Sequence, residues 1–253
     1  MSIIQGTAKS GGSTGEVYTY PIEDSLRFDG SSYLSRTPST AGNRKTWTWS
    51  GWVKFVRNGV KEDIFIAGSN ASGQQSSQVS TETTDKFSLY DTISGGSTAD
   101  ISATSVGIYR DTSSWYHLVI ETNTSSSYQK LWVNGVLDTT ATAPLNHQTA
   151  VNNNVVHTIG RFSVVNVNFF AGYMANIQFI DGQALDPYFF GEFKDNIWVP
   201  YNAFSTAGSG TATASDGDTA TDSYGTNGFH LDFADSSNIG NDVSGNNNDW
   251  TVN

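Results

Sequence analysis

The chain of 253 residues contains no cysteine, five prolines and only thirteen lysines and arginines. Without cysteine there is no disulfide framework and no thiolate metal site. Nor are staples needed, because a single all-β domain of this size buries roughly 70–75% of the surface its unfolded chain exposes. The 24 acidic residues outnumber the basic ones, for a formal charge of −11. Phosphate neutralisation supplies most nucleic-acid affinity, so this balance argues against nucleic acid as a partner and against anionic lipid surfaces. No run approaches the ~20 apolar residues of a membrane span, so membrane insertion is not expected. The opening Met1-Ser2-Ile3-Ile4-Gln5-Gly6 lacks the basic start and apolar segment of a secretory leader. The expectation is a protein that folds in a reducing cytoplasm and reaches the exterior by lysis.

Three aromatic runs stand out: Thr46-Trp47-Thr48-Trp49-Ser50-Gly51-Trp52-Val53-Lys54, Ser114-Trp115-Tyr116-His117-Leu118-Val119 and Lys130-Leu131-Trp132-Val133-Asn134-Gly135-Val136. Each alternates between two faces, which is the period of a strand. Trp47, Trp49, Gly51 and Val53 share the core face of the first, so Trp52 on the other face needs a loop to cover it or a ligand to meet it. Asn134-Gly135 marks a tight reversal, since both residues tolerate the positive φ of a type I′ turn. Further strands are expected at 25–34, 63–67, 86–91, 101–105, 115–122, 128–133, 136–140, 155–161, 172–180, 229–233 and 250–252. One short helix is expected, capped by Asp186 with Pro187 at its first position and stopped by Gly191. Residues 1–20 read as an N-terminal arm and 21–253 as one domain. Within it, the Gly/Ser/Thr/Ala/Asp-rich stretch 205–226 reads as a long surface loop, too polar to pack a core.

Five motifs in order carry a resemblance: Trp52-Val53-Lys54, Trp115-Tyr116-His117-Leu118, Leu131-Trp132-Val133-Asn134-Gly135, Ile159-Gly160 and Phe170-Ala171-Gly172-Tyr173-Met174-Ala175-Asn176-Ile177. Together they resemble the laminin-G-like, concanavalin A-like jelly-roll family over roughly residues 25–186. The resemblance implies an all-β, two-sheet antiparallel jelly-roll sandwich with almost no helix. Leu231-Asp232-Phe233 with Asn241–Asp249 is similar to the segment that begins many family members, so a permuted C-terminal strand is expected. Arg36-Thr37-Pro38-Ser39, Phe179–Pro187 and Ser244–Thr251 resemble structural proteins of marine tailed bacteriophages. That likeness implies a virion surface protein, on tail fibre or capsid, assembled with other virion proteins and gripping a host surface glycan. The competing expectations are a soluble lectin and a polysaccharide-degrading enzyme.

Catalysis is not expected. The six glutamates are scattered and form no Glu-x-Asp-x-x-Glu strand of the kind seen in jelly-roll glucanases, and the four histidines lack metal-ligand spacing. Gly11-Gly12-Ser13-Thr14-Gly15 matches a nucleophile elbow without its strand and helix. The resemblance implies one structural Ca²⁺, and Asp242, Asn246, Asn248 and Asp249 are the candidate oxygen donors. The run Asp216-Gly217-Asp218 with Asp222 is the weaker acidic candidate. Ala175-Asn176 stands where the family often places an acidic ligand. For a glycan, which needs an aromatic platform beside polar groups, the candidates are Tyr90, Tyr109, Tyr128 and Trp198. In the arm, Ile3, Ile4, Val17, Tyr18 and Tyr20 are candidate apolar anchors on a neighbouring subunit, in a homo-trimer by analogy with phage fibres.

Overall fold

The computed structural model describes residues 20–68, 75–92, 99–163, 166–205, 208 and 210–253. Two large antiparallel sheets face each other. The first is built from β1 (Leu26–Asp29), β3 (Thr46–Phe55), β8 (Tyr116–Asn123), β9 (Tyr128–Val133), β10 (Val136–Thr142), β12 (Ala171–Asp181) and β17 (Phe229–Leu231). Its order is β1-β12-β3-β8-β9-β10, with β17 on the same edge of β12 as β1 and further along it. The second contains β2 (Leu34–Arg36), β4 (Glu62–Gly68), β5 (Ser76–Thr81), β6 (Phe87–Thr92), β7 (Ile101–Thr104), β11 (His157–Ile159) and β18 (Thr251–Val252), in the order β18-β2-β11-β4-β5-β6-β7. Two hairpins lie outside the sandwich: β13 (Gly191–Lys194) with β14 (Ile197–Pro200), and β15 (Thr211–Thr213) with β16 (Thr219–Thr221). Among the described residues, helix is limited to two 3₁₀ turns, Thr124–Ser126 and Pro187–Phe189. The expected jelly-roll sandwich is therefore the observed architecture.

The alternation along β3 sorts its three tryptophans as expected. Trp47 and Trp49 sit between the sheets, where Trp49 stacks on Phe65 at 5.8 Å and Trp47 tilts against Phe179 at 5.9 Å. Gly51 leaves the space that Trp49 fills, since a Cβ there would lie 2.6 Å from its ring. Trp52 points out of the sandwich and is covered. The turn Asn134-Gly135 has positive φ at both residues, 49° and 77°, as a type I′ reversal between β9 and β10 requires. Asp186 caps the second 3₁₀ turn by accepting from the Tyr188 N–H at 2.9 Å, with Pro187 at its first position.

What covers the outer face of the first sheet decides where a site can form. Val119 and Ile180 on that face pack under Leu185, Phe189, Phe190, Phe204, Ala212, Ala214 and Tyr224. Beside them Trp52 and Ala175 pack under Ile22 and Trp198. Residues 185–224 thus form a second layer of cover. The stretch 205–226, expected to be a surface loop, contributes the β15–β16 hairpin to it. Alanine is small enough to pack on the sheet while threonine and aspartate face water, so a polar sequence still closes a cluster.

The closing segment is fixed to both sheets. β17 pairs with β12, β18 pairs with β2, and Asn253 exchanges two backbone hydrogen bonds with Tyr33 at 2.9 and 3.1 Å.

Candidate functional site

Where the cover stops, a cleft of about 520 Å³ opens between it and the first sheet. The sheet supplies Glu121 from β8 and Lys130 and Trp132 from β9, and the cover supplies Leu185, Asp186, Phe189, Asp218 and Thr219. Strand periodicity puts Tyr128, Lys130 and Trp132 on one face of β9, and the register sets Lys130 directly opposite Glu121. All three side chains converge on the buried Glu121 carboxylate. Its Oε1 accepts from the Tyr128 O–H at 2.7 Å and Lys130 Nζ at 3.1 Å; its Oε2 accepts from Lys130 Nζ at 3.2 Å and Trp132 Nε1–H at 3.0 Å. The ammonium also lies 4.4 Å from the Tyr128 ring centre and 5.6 Å from that of Trp132. These contacts fix the plane of the half-buried Trp132 ring before any ligand arrives. Burial, together with the Glu121 carboxylate, pushes the Tyr128 hydroxyl well above its ordinary value.

Opposite this wall stand three carboxylates. Asp186, Asp216 and Asp218 have ligand oxygens within 4.8 Å of one another. The cap at Asp186 and the β15–β16 turn, in which Asp216 Oδ1 accepts from the Asp218 N–H, bring them together. Asp186 is pushed up to about 6, first by burial and then by Asp216, Asp218 and Glu121, against the lowering effect of the Tyr188 N–H. Hard oxygen donors so grouped fit Ca²⁺ in kind.

The candidates named from sequence are not all placed here. Asp242 is buried and its carboxylate is filled by protein donors: Oδ1 by the His230 and Ser244 N–H groups, Oδ2 by Ser244 Oγ–H and the Asn248 N–H, all at 2.8–2.9 Å. Asp249 Oδ1 takes the Asp242 N–H. The Asn246 and Asn248 amides donate to the carbonyls of Gly225, Thr226 and Gly228, and Asn248 Oδ1 receives the Arg36 guanidinium. The geometry makes these four residues a hydrogen-bonded knot under the C-terminal strand instead of a ligand set: oxygens facing N–H donors and a guanidinium are turned from a cation. Asp222 leaves its acidic neighbours and accepts from Ser205 N–H at 3.0 Å.

The four aromatic candidates occupy separate places. Trp198 is buried. Its Nε1–H donates to His117 Nδ1 at 3.0 Å, so the other ring nitrogen, Nε2, carries the proton and donates to Ser50 Oγ at 2.8 Å. The His117 ring lies between Trp52 and Trp198, at 4.8 and 5.9 Å, and burial pushes it down to about 3. Trp198 is thus a structural plug and offers no face to a sugar. Tyr109 packs on Phe87 and donates to Asp138 at 2.6 Å. Tyr90 lies on β6 in the other sheet. Only Tyr128 adjoins the cleft. Tyr20, expected as an anchor on a neighbour, donates to Asn176 Oδ1 at 3.3 Å and packs with Trp52 and Trp198 of its own chain. Ile3, Ile4, Val17 and Tyr18 lie outside the described residues.

Residues 28–187 match the family model described as the concanavalin A-like lectin/glucanases superfamily (Laminin_G_3). Asp216 and Asp218 lie beyond that match. Among solved structures, the chain is similar to a heptameric SAP-like pentraxin from Limulus polyphemus, at TM-score 0.49 and 17% identity over 64% of this chain and 76% of that one. Domain 4 of a GH43 extracellular arabinanase from Geobacillus stearothermophilus, in complex with arabinotriose, gives 0.48 and 17% over 66% and 74%. The CBM40 of the Ruminococcus gnavus IT-sialidase, bound to α2,3 sialyllactose, gives 0.46 and 10% over 60% and 88%. No curated protein matches the chain.

Proposed function

The chain belongs to the concanavalin A-like lectin/glucanases superfamily, and on that fold we propose a non-enzymatic carbohydrate-binding protein whose site is the cleft between the first sheet and its cover. The observation that carries this reading is the Trp132 ring, fixed through its N–H to Glu121, beside the carboxylates of Asp186 and Asp218 in one cleft. A pyranose offers an apolar C–H face and a rim of hydroxyls. An aromatic plane with acceptors at its edge is the complement of both. Binding is favoured over hydrolysis because Glu121 is committed to Lys130, Tyr128 and Trp132, which leaves it without the freedom of a nucleophile or a proton donor.

The test is a glycan panel against wild type and Trp132→Ala. Loss of one stacking aromatic should weaken binding by about tenfold or more, equivalent to about 1.4 kcal/mol. Equal affinity of the two proteins sinks the cleft as the site, and release of reducing sugar makes the protein an enzyme. In biological setting we propose a surface component of a tailed-phage particle, supported by the resemblance in 36–39, 179–187 and 244–251 and by the apolar residues of the arm. Peptides of this chain in a mass-spectrometric inventory of purified particles would agree with it; their absence would leave a soluble lectin.

A further inference from the structure

We infer that the cleft selects a cationic sugar, a glycan carrying free protonated amino groups, over its neutral and acidic counterparts. This deepens, and rests on, the reading of the cleft as a glycan site.

The argument begins with which charges are already answered. Lys130 is the single ammonium among the cleft residues, and both Glu121 oxygens hold it, so that pair is neutral on the sheet wall. On the facing wall are Asp186 and Asp218, and Asp216 stands beside them, the three with ligand oxygens within 4.8 Å of one another. Asp186 uses Oδ1 on the Tyr188 N–H and Asp216 uses Oδ1 on the Asp218 N–H. The corner therefore carries unbalanced negative charge in a molecule already at −11. A uronate or sialylated glycan meets like charge there. A neutral sugar leaves the repulsion as it is. A protonated amine supplies N–H donors in charge-assisted bonds and removes the repulsion at the same time.

The aromatic wall agrees with the same ligand. The Trp132 ring takes the apolar face of the pyranose, and its negative π-face attracts a cation held nearby. The Trp132 N–H is occupied by Glu121, so the ring contributes its face and no donor. The recognising groups are thus acceptors and π-faces, and the ligand must bring the protons.

The experiment compares three hexamers by titration calorimetry in metal-free buffer with chelator: β-1,4-linked glucosamine, its fully N-acetylated form, and polyguluronate. The amine hexamer should bind about tenfold or more tightly than the acetylated one, as expected for one charge-assisted hydrogen bond. The uronate should not bind. Asp218→Asn and Asp216→Asn change exposed residues of the β15–β16 turn, and each should narrow the ratio of amine to acetylated affinity. Equal affinity for the amine and acetylated hexamers overturns the inference and leaves the glycan site standing. A preference for uronate that appears only with Ca²⁺ also overturns it, because the carboxylates would then serve a metal. If no glycan binds and Trp132→Ala changes nothing, the reading of the cleft falls and this inference with it.

Discussion

Acidification from about pH 7 to about pH 5 is expected to destabilise the protein, because three buried histidines outweigh the buried carboxylates. Burial pushes His117 down to about 3 and His157 and His230 to about 4, from an ordinary 6.5. The neighbours that face them do not reverse this. The Val155 carbonyl raises His157 while Arg36 lowers it, and Asp232 and Asp242 raise His230. At these three positions the unfolded chain therefore takes up protons in an interval where the folded histidines take up none, and their contribution to stability falls as pH falls through it. At about pH 5 each histidine lies about 1.5 pH units below its unfolded value, worth about 2 kcal/mol, or about 6 kcal/mol for the three.

Asp63 and Asp186 act in the opposite sense. Burial raises both to about 6, so the folded state binds the proton first and regains stability on acidification. Asp63 returns about 1 kcal/mol. Asp186 returns less, being partly open to solvent that screens it. Asp91 and Glu62, also raised by burial, add to that side. Asp29 and Asp111, held low by hydrogen bonds from neighbouring serines, titrate below this window. Asp63 and Asp186 leave about 4 kcal/mol of the histidine loss, which Asp91 and Glu62 reduce further, a large part of the 5–15 kcal/mol that stabilises a typical domain. Urea titrations at the two pH values measure it, and with a slope of about 3 kcal/mol per molar the midpoint should fall by about 1 M. His230→Gln should weaken the net pH dependence by about half. A midpoint that holds steady or rises on acidification refutes the reasoning.

Gly191→Ala and Gly135→Ala should each destabilise by about 1–3 kcal/mol, since a Cβ would lie 2.2 and 2.4 Å from the Trp198 ring; thermal melts check this. Asp242→Ala orphans four donors and should cost about 2–4 kcal/mol while leaving any calcium response intact, whereas Asp218→Asn should remove a calcium-dependent rise in Tm if one is present. Removing residues 1–20 takes Tyr20 from the Trp52–Trp198 cluster, so it should both lower Tm modestly and block incorporation into particles. Normal assembly of the truncated chain would leave the arm without that role.

The sandwich was legible because its signals are local. Alternation along Trp47–Trp49 and Trp52 assigns each ring to a face, and Asn134-Gly135 names its own turn. The cap at Asp186 was equally readable, since Asp-Pro satisfies donors within one turn. The cleft was not. Asp186 meets Asp216 and Asp218 across thirty residues, through a hairpin whose sequence is too polar to announce packing. Trp132 and Trp198 look alike in sequence as strand aromatics, yet one lines a cleft and the other plugs a gap between two glycines and a histidine. That difference depends on residues 188–224, beyond the family match, and on how they lie over the sheet. The Asx-rich turn at 242–249 offered oxygen donors at every second position, and spacing alone does not reveal that backbone N–H groups reach them first.

The pairing of β17 and β18 with strands laid down some 50 to 220 residues earlier sets an order on biosynthesis. While the chain is still being made, β12 is paired with β3 on one side but open on the other along the length that β17 will occupy, and β2 lacks its outer partner. Residues up to 228 can emerge from the ribosome and collapse, but both sheets keep an open edge until the segment through Val252 follows. A stalled or prematurely terminated product would expose those edges to any other nascent copy nearby, where strand pairing between chains competes with closure. Synthesis of the segment through Val252 is therefore the step that seals these two edges.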